Sequence, residues 1–162
     1  MYSLSRLGAP LLAALMFSGP ALADIEISDA FVRATPPGVD VSAAFFRVHN
    51  TGGDDRTLTG ASTDKAATVE LHTHSEQDGV MKMRRIDGIE IPAHHDHRLA
   101  PGGDHLMLIG LTQPLVDGDR VELTLQFSSG DPVIVTAPVW SAQTEMDVEN
   151  RIEENKHHHK MP

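Results

Sequence analysis

The chain of 162 residues has no cysteine. It must therefore hold its fold by core packing, without disulfides. A blue-copper electron-transfer site is excluded as well, because that chemistry needs a Cys thiolate. Positive charge is also in short supply: 13 Lys and Arg stand against 23 Asp and Glu, for a formal charge of −10. That balance argues against a nucleic-acid partner and against basic steering by the molecule as a whole. No long stretch of helical period precedes Ser141, and there is no internal repeat. The one apolar run, Leu11-Leu12-Ala13-Ala14-Leu15-Met16-Phe17, is too short for a comfortable membrane span and is followed by Gly19-Pro20.

That run reads instead as part of an export signal. Arg6 precedes it, and Ala21-Leu22-Ala23 forms a small-x-small cleavage site. Residues 1–23 are therefore expected to be a signal peptide, cleaved after Ala23, with the protein in the periplasm and without stable membrane insertion. No Cys follows the run, so a lipid anchor is not expected. Residues 24–140 have the length of one domain with its own core. Residues 141–162 are rich in Glu, Asn and Lys with few apolar side chains, and a flexible, disordered tail is expected there.

The domain reads as all-β. Strand-like runs cover residues 25–34, 41–48, 56–61, 68–74, 80–86, 89–91, 98–99, 105–111, 120–127 and 133–140, separated by Gly, Pro, Asn and Asp. Many short strands between such turns predict a sandwich or barrel.

What the chain does have is histidine and methionine in a fixed pattern. His72 is followed after ten residues by Met83, then after twenty-one by His105, and after one more by Met107. Two imidazoles and two thioethers suit a soft metal ion, with Cu(I) the first candidate. Strand alternation puts His72 and His74 on the face opposite Val69 and Leu71, Met81 and Met83 on one face, and His105 and Met107 opposite Leu106 and Leu108. Asp78-Gly79 predicts a hairpin turn between the first two pieces. Two pairings keep His and Met on one face: His72 opposite Met83 with His74 opposite Met81, or His74 opposite Met83. A slip of one residue would separate them, so the site depends on register. Gly102-Gly103 allows a tight entry to the third piece.

The spacing, together with Glu70-Leu71-His72, Asp78-Gly79-Val80-Met81-Lys82-Met83-Arg84 and Pro101-Gly102-Gly103-Asp104-His105-Leu106-Met107-Leu108, resembles the periplasmic PCu(A)C copper chaperones. Ala43-Ala44-Phe45-Phe46, His49-Asn50, Gly118-Asp119 and Leu123-Thr124-Leu125-Gln126-Phe127 extend the likeness over residues 24–139. The resemblance implies a cupredoxin-like Greek-key β-barrel or sandwich that binds Cu(I) through this His and Met set. It also implies delivery to a respiratory oxidase, with the copper subunit of cytochrome c oxidase and its CuA centre, or another periplasmic copper chaperone, as partner.

Other residues carry two readings each. His74 and Met81 are alternate ligands or exposed neighbours, since His72, Met83, His105 and Met107 already complete four-coordination. Lys82, Arg84 and Arg85 are a solvated strand face or a dock for an acidic partner. His94, His95 and His97 form a polar loop or an accessory Cu(II) or Zn(II) site. In the tail, His157, His158, His159 and Met161 resemble the His- and Met-rich extensions of some family members and form a second ligand set, suited to Cu(II), or merely a solubilising end. Copper storage or scavenging and a metal-site enzyme are the rival functions. An enzyme needs an open coordination position and a poised acid or base, and Glu70 is the one nearby candidate. No catalytic residue is therefore assigned.

Overall fold

The computed structural model describes residues 24–77 and 79–158. The expected signal peptide lies outside the described residues. Ten strands follow one another: β1 (Ile25–Arg33), β2 (Val41–Asn50), β3 (Arg56–Ser62), β4 (Ala66–Gln77), β5 (Val80–Arg85), β6 (Ile89–Ile91), β7 (Asp96–Leu99), β8 (His105–Leu111), β9 (Arg120–Phe127) and β10 (Val133–Trp140). A helix, α1 (Ala142–His158), ends the described chain. The all-β reading holds, and the strand boundaries shift by only a few residues.

The strands hydrogen-bond in the order β5-β4-β8-β2-β1-β10-β9-β3-β6, with β7 also on β2. Neighbours are antiparallel except at β1 and β10, where Val32 pairs with Val139 and Arg33 with Trp140 in parallel. The inner faces of the two halves meet in one cluster. Strict alternation places them: in β9, Val121, Leu123 and Leu125 are buried between Arg120, Glu122, Thr124 and Gln126. Phe46, Leu58, Leu106, Leu108, Leu123 and Leu125 are at most 1% exposed. Burying each contributes about 1.5–3 kcal/mol before the entropy of ordering is subtracted. This is how a chain without disulfides can stay folded.

Two irregularities position the outer face. In β1 the register shifts between Ser28 and Phe31, with Asp29 at φ 53°. The inward side changes there from Ile25 and Ile27 to Val32, so Phe31 faces outward beside Phe45, its ring 5.1 Å away. On the other edge of β2, β7 pairs with Phe46–His49 and β8 with Val41–Ala44. They are two halves of one strand line, interrupted by the loop at residues 100–104. That loop is closed by bonds from Ala100 N–H to Asp104 O and from Gly103 N–H to Ala100 O, and Gly102 takes φ +81°. His105 follows it directly.

The tail corrects an expectation. Residues 142–158 are helical, not disordered. Poverty in apolar residues pointed to disorder, but local caps and one long-range ion pair prevail. Ser141 accepts a bond from Thr144 N–H at 3.2 Å, and its own N–H donates to Asp117 Oδ1 at 2.6 Å. Glu145, in the first turn, is held by Arg33 at 3.0 Å across 112 residues of sequence. Val148 and Ile152 then face a groove of about 550 Å³ whose floor includes Phe31 and Trp140. Those two rings stack at 4.7 Å. The sequence signal was Ser141 followed by Thr144 and Glu145, a start for a helix whose apolar residues sit four apart.

Candidate metal centre

Leu71, Leu106 and Leu108 point into the core, so the alternate residues of β4 and β8 point out. In this register His72 lies directly opposite His105, and Glu70 opposite Met107. On the other side of β4, His74 lies opposite Met83, His72 opposite Arg85, and Glu76 opposite Met81. The hairpin thus takes the second of the two in-phase registers. His72, His74, Met81, Met83, His105 and Met107 all share the outer face, beside the sheet edge that β5 forms.

The three imidazoles cluster. The His72 and His105 ring centroids are 5.9 Å apart, and those of His74 and His105 are 5.2 Å apart. An imidazole bound at about 2 Å puts its centroid about 3 Å from the ion, so two on one ion lie roughly 5–6.5 Å apart. Both separations fit. Met83 sits on β5 and Met107 on β8, flanking β4 from opposite sides, and the unbranched thioether chain is flexible enough to reach over it. Among the described residues no three His, Asp or Glu are placed to hold an ion by themselves. Met83 and Met107 are the further candidate donors on this face.

Burial is graded across the cluster. His105 is 3% exposed, whereas Met83 is 44% exposed and Met81 57%. The inner end rests on an aromatic wall, since Phe45 lies 6.2 Å from the His105 ring and packs on Phe31. Burial pushes the His105 imidazole below its usual range, partly opposed by its bond to the Gly103 carbonyl. That keeps the ring neutral, the form that can bind a metal. His105 Nδ1–H donates to Gly103 O at 3.0 Å, which leaves the Nε2 lone pair free. His72 Nε2–H donates to Glu70 Oε2 at 2.8 Å, and Arg85 Nη1 reaches the other Glu70 oxygen at 3.2 Å. The His72 bond holds the Glu70 carboxyl below the ordinary carboxylate range, with Arg85 assisting against desolvation. The Nδ1 atoms of both His72 and His74 are buried without a hydrogen-bond partner.

The sequence pattern of four therefore gathers on one face, and His74 joins it. Its ring is the nearer of the two to His105, a placement that only the register could decide. Met81 is on the same face but opposite Glu76, toward the hairpin end. His157 and His158 close α1, while His159 and Met161 lie outside the described residues. Of the histidines expected in a polar loop, His97 lies instead in β7, where its backbone pairs with Val48 and its ring with Asp104 at 2.9 Å, while His95 Nδ1–H donates to Ala93 O at 2.8 Å.

Comparison with known proteins places this arrangement. The family model described as "Putative lipoprotein LpqE-like" matches residues 25–139. A protein of Leifsonia xyli named as a putative lipoprotein is 38% identical over 116 residues, 71% of this chain and 69% of that protein. The solution structure of Cu(I)-DR1885 from Deinococcus radiodurans is 33% identical, with a TM-score of 0.60 over 79% of this chain and 85% of that one. The copper-bound PCuAC domain from PmoF2 is 25% identical, with a TM-score of 0.63 over 75% of this chain and 96% of that one. The cupredoxin-like fold expected from the sequence is the one observed. With the family model spanning nearly the whole β domain and the His and Met pattern on one face of it, the chain belongs to the LpqE-like family and is of the PCu(A)C type.

Proposed function

We propose that the protein is an exported copper chaperone. It binds one Cu(I) through His72, Met83, His105 and Met107, and hands it to a respiratory oxidase. The recipient is the copper subunit of cytochrome c oxidase at its CuA centre, or another periplasmic chaperone. The observation that carries the reading is the cross-strand pair His72 and His105, flanked on one outer face by two thioethers, in a family whose solved relatives include copper-bound forms. Soft sulfur favours Cu(I), and neutral imidazole adds affinity.

The function is transfer, and bond chemistry has no place in it. Four donors close the coordination of a monovalent ion and leave no position for a substrate. Exposed Met83, beside Met81 at the free edge, is where the ion leaves by exchange of one ligand at a time. His74, opposite Met83, offers a replacement donor during that exchange. Thioethers suit an oxidising compartment because no disulfide can remove them, although sulfoxide formation can. The run before Ala23 supplies export to the periplasm, and the kinship with proteins named as lipoproteins supports it. The end of the chain, His157, His158, His159 and Met161, forms a second ligand set that captures Cu(II).

Anaerobic Cu(I) titration with X-ray absorption, on the full chain and on a chain ending at Trp140, tests the reading. One tightly held ion with mixed nitrogen and sulfur scattering is expected in both, and additional Cu(II) capacity in the full chain alone. Absence of sulfur scattering at the tight site would refute the assignment.

A further inference from the structure

We infer that Glu70 is a positioning residue: it fixes the His72 imidazole with hydrogen on Nε2 and so leaves Nδ1 as the atom that binds the ion. The inference rests on His72 being a ligand. A carboxylate can only accept, so the 2.8 Å contact to Glu70 Oε2 places the ring hydrogen on Nε2. The remaining nitrogen, Nδ1, is buried and has no hydrogen-bond partner. A buried, unpaired lone pair in a native fold calls for an explanation, and a bound ion supplies one. Ligating histidines regularly give their other N–H to a carboxylate or carbonyl, which sets both tautomer and ring orientation.

The neighbouring ligand is preset in the opposite sense. His105 gives Nδ1–H to the Gly103 carbonyl and keeps Nε2 free. The two rings of one cross-strand pair thus present different nitrogens, each chosen by the partner of the other atom. Strand geometry explains why Glu70 can do this. It precedes His72 by two residues and shares its face, and Arg85, opposite His72, holds the second carboxylate oxygen. Arg85 also balances the Glu70 charge, so the pair orients the ring without adding net charge beside a cationic cargo.

The test is long-range proton–nitrogen NMR of the histidine rings in the full chain, without metal and with Cu(I), alongside Cu(I) competition at fixed pH. In the metal-free protein His72 should carry its hydrogen on Nε2, and Cu(I) should move the Nδ1 resonance. Glu70→Ala should mix the tautomers and weaken Cu(I) binding by about 10–100-fold. Glu70→Gln, whose amide oxygen still accepts, should restore the tautomer, and Arg85→Ala should leave it unchanged. A Cu(I)-induced shift at Nε2, or an unchanged tautomer in Glu70→Ala, would overturn the inference. If the wild-type protein binds no Cu(I) at this site, the ligand assignment itself fails. The metal-free tautomers of the wild type and of Glu70→Gln still judge the role of Glu70 if Glu70→Ala does not fold.

Discussion

Replacing Met83 or Met107 by leucine removes one sulfur donor while keeping its volume. Both residues lie on the outer face, and neither belongs to the buried cluster. A volume-conserving swap at half-buried Met107 costs less than about 1.5 kcal/mol. At Met83, 44% exposed, the cost should lie within about 0.5 kcal/mol. For a domain of this size those figures keep the melting temperature of the metal-free variants within about 6 °C of wild type. Metal binding should respond on another scale. Losing an outer partner of a ligand already costs about 10–100-fold in affinity, so losing a ligand should reach at least the upper figure. A hundredfold loss is about 2.7 kcal/mol. Anaerobic competition with a Cu(I) chelator reads the affinity, and X-ray absorption should show two sulfur scatterers in the wild type and one in each variant. The graded burial adds a distinction: Met83→Leu, at the exposed edge, should speed release more than Met107→Leu. Unchanged Cu(I) affinity in both variants, with the fold intact, would refute the whole assignment.

Three further outcomes follow from the same structure. His105 has its folded pKa pressed below the unfolded value by burial, so its contribution to stability is present above about pH 6.5 and is lost as pH falls through the folded value. Melting of the metal-free protein from pH 7.5 to pH 5 should show this loss, and His105→Leu should lessen the slope; an unchanged slope would reject it. Gly102→Ala places a side chain at φ +81° with nothing within 4 Å of its Cβ, so the cost is conformational, about 1–2 kcal/mol in a urea melt. Wild-type stability in that variant would mean that the loop tolerates the left-handed turn without glycine. Glu145→Ala should release the start of α1 from Arg33, costing about 1 kcal/mol or less for so exposed an arginine, yet raising amide exchange through the first turns of the helix. Unaltered exchange there would show that Ser141 and Asp117 hold the helix alone.

Much of this was readable in the sequence because strand periodicity is two. Leu71 against His72, and Leu106 and Leu108 against His105 and Met107, tell which residues share the outer face without any coordinates. Periodicity cannot choose between registers that differ by two residues, since both keep the same faces. That is why the place of His74 opposite Met83, and its ring near His105, emerged only from the pairing of β4 with β5 and β8. The bulge at Asp29 was hidden for a related reason: it reverses the inward side within one strand, and alternation breaks where it occurs. Helix α1 escapes a reading by composition, because its start is set by the Ser141 cap and not by apolar content. An ion pair between Arg33 and Glu145 spans most of the chain, and no local pattern announces it.

On the proposed assignment, the position of the site on the sheet accounts for how it would both hold and release copper. A centre inside the cluster of Phe46, Leu58 and Leu106 would be dry and rigid, and emptying it would require the core to open. Here the core side of β4 and β8 supplies rigidity through Leu71, Leu106 and Leu108, while the candidate donors stand on the other side of the same strands. One end of the cluster is anchored: His105 is buried against Phe45 and tied to the Gly103 carbonyl. The other end, Met83, lies on an exposed edge strand with Met81 beside it. With the proposed ligand set, an incoming donor would meet the ion at Met83 before His105 lets go. Loss of a ligand at either end should weaken binding, but loss at the exposed end should change the exchange rate more, so substitutions at the two ends should differ most in release.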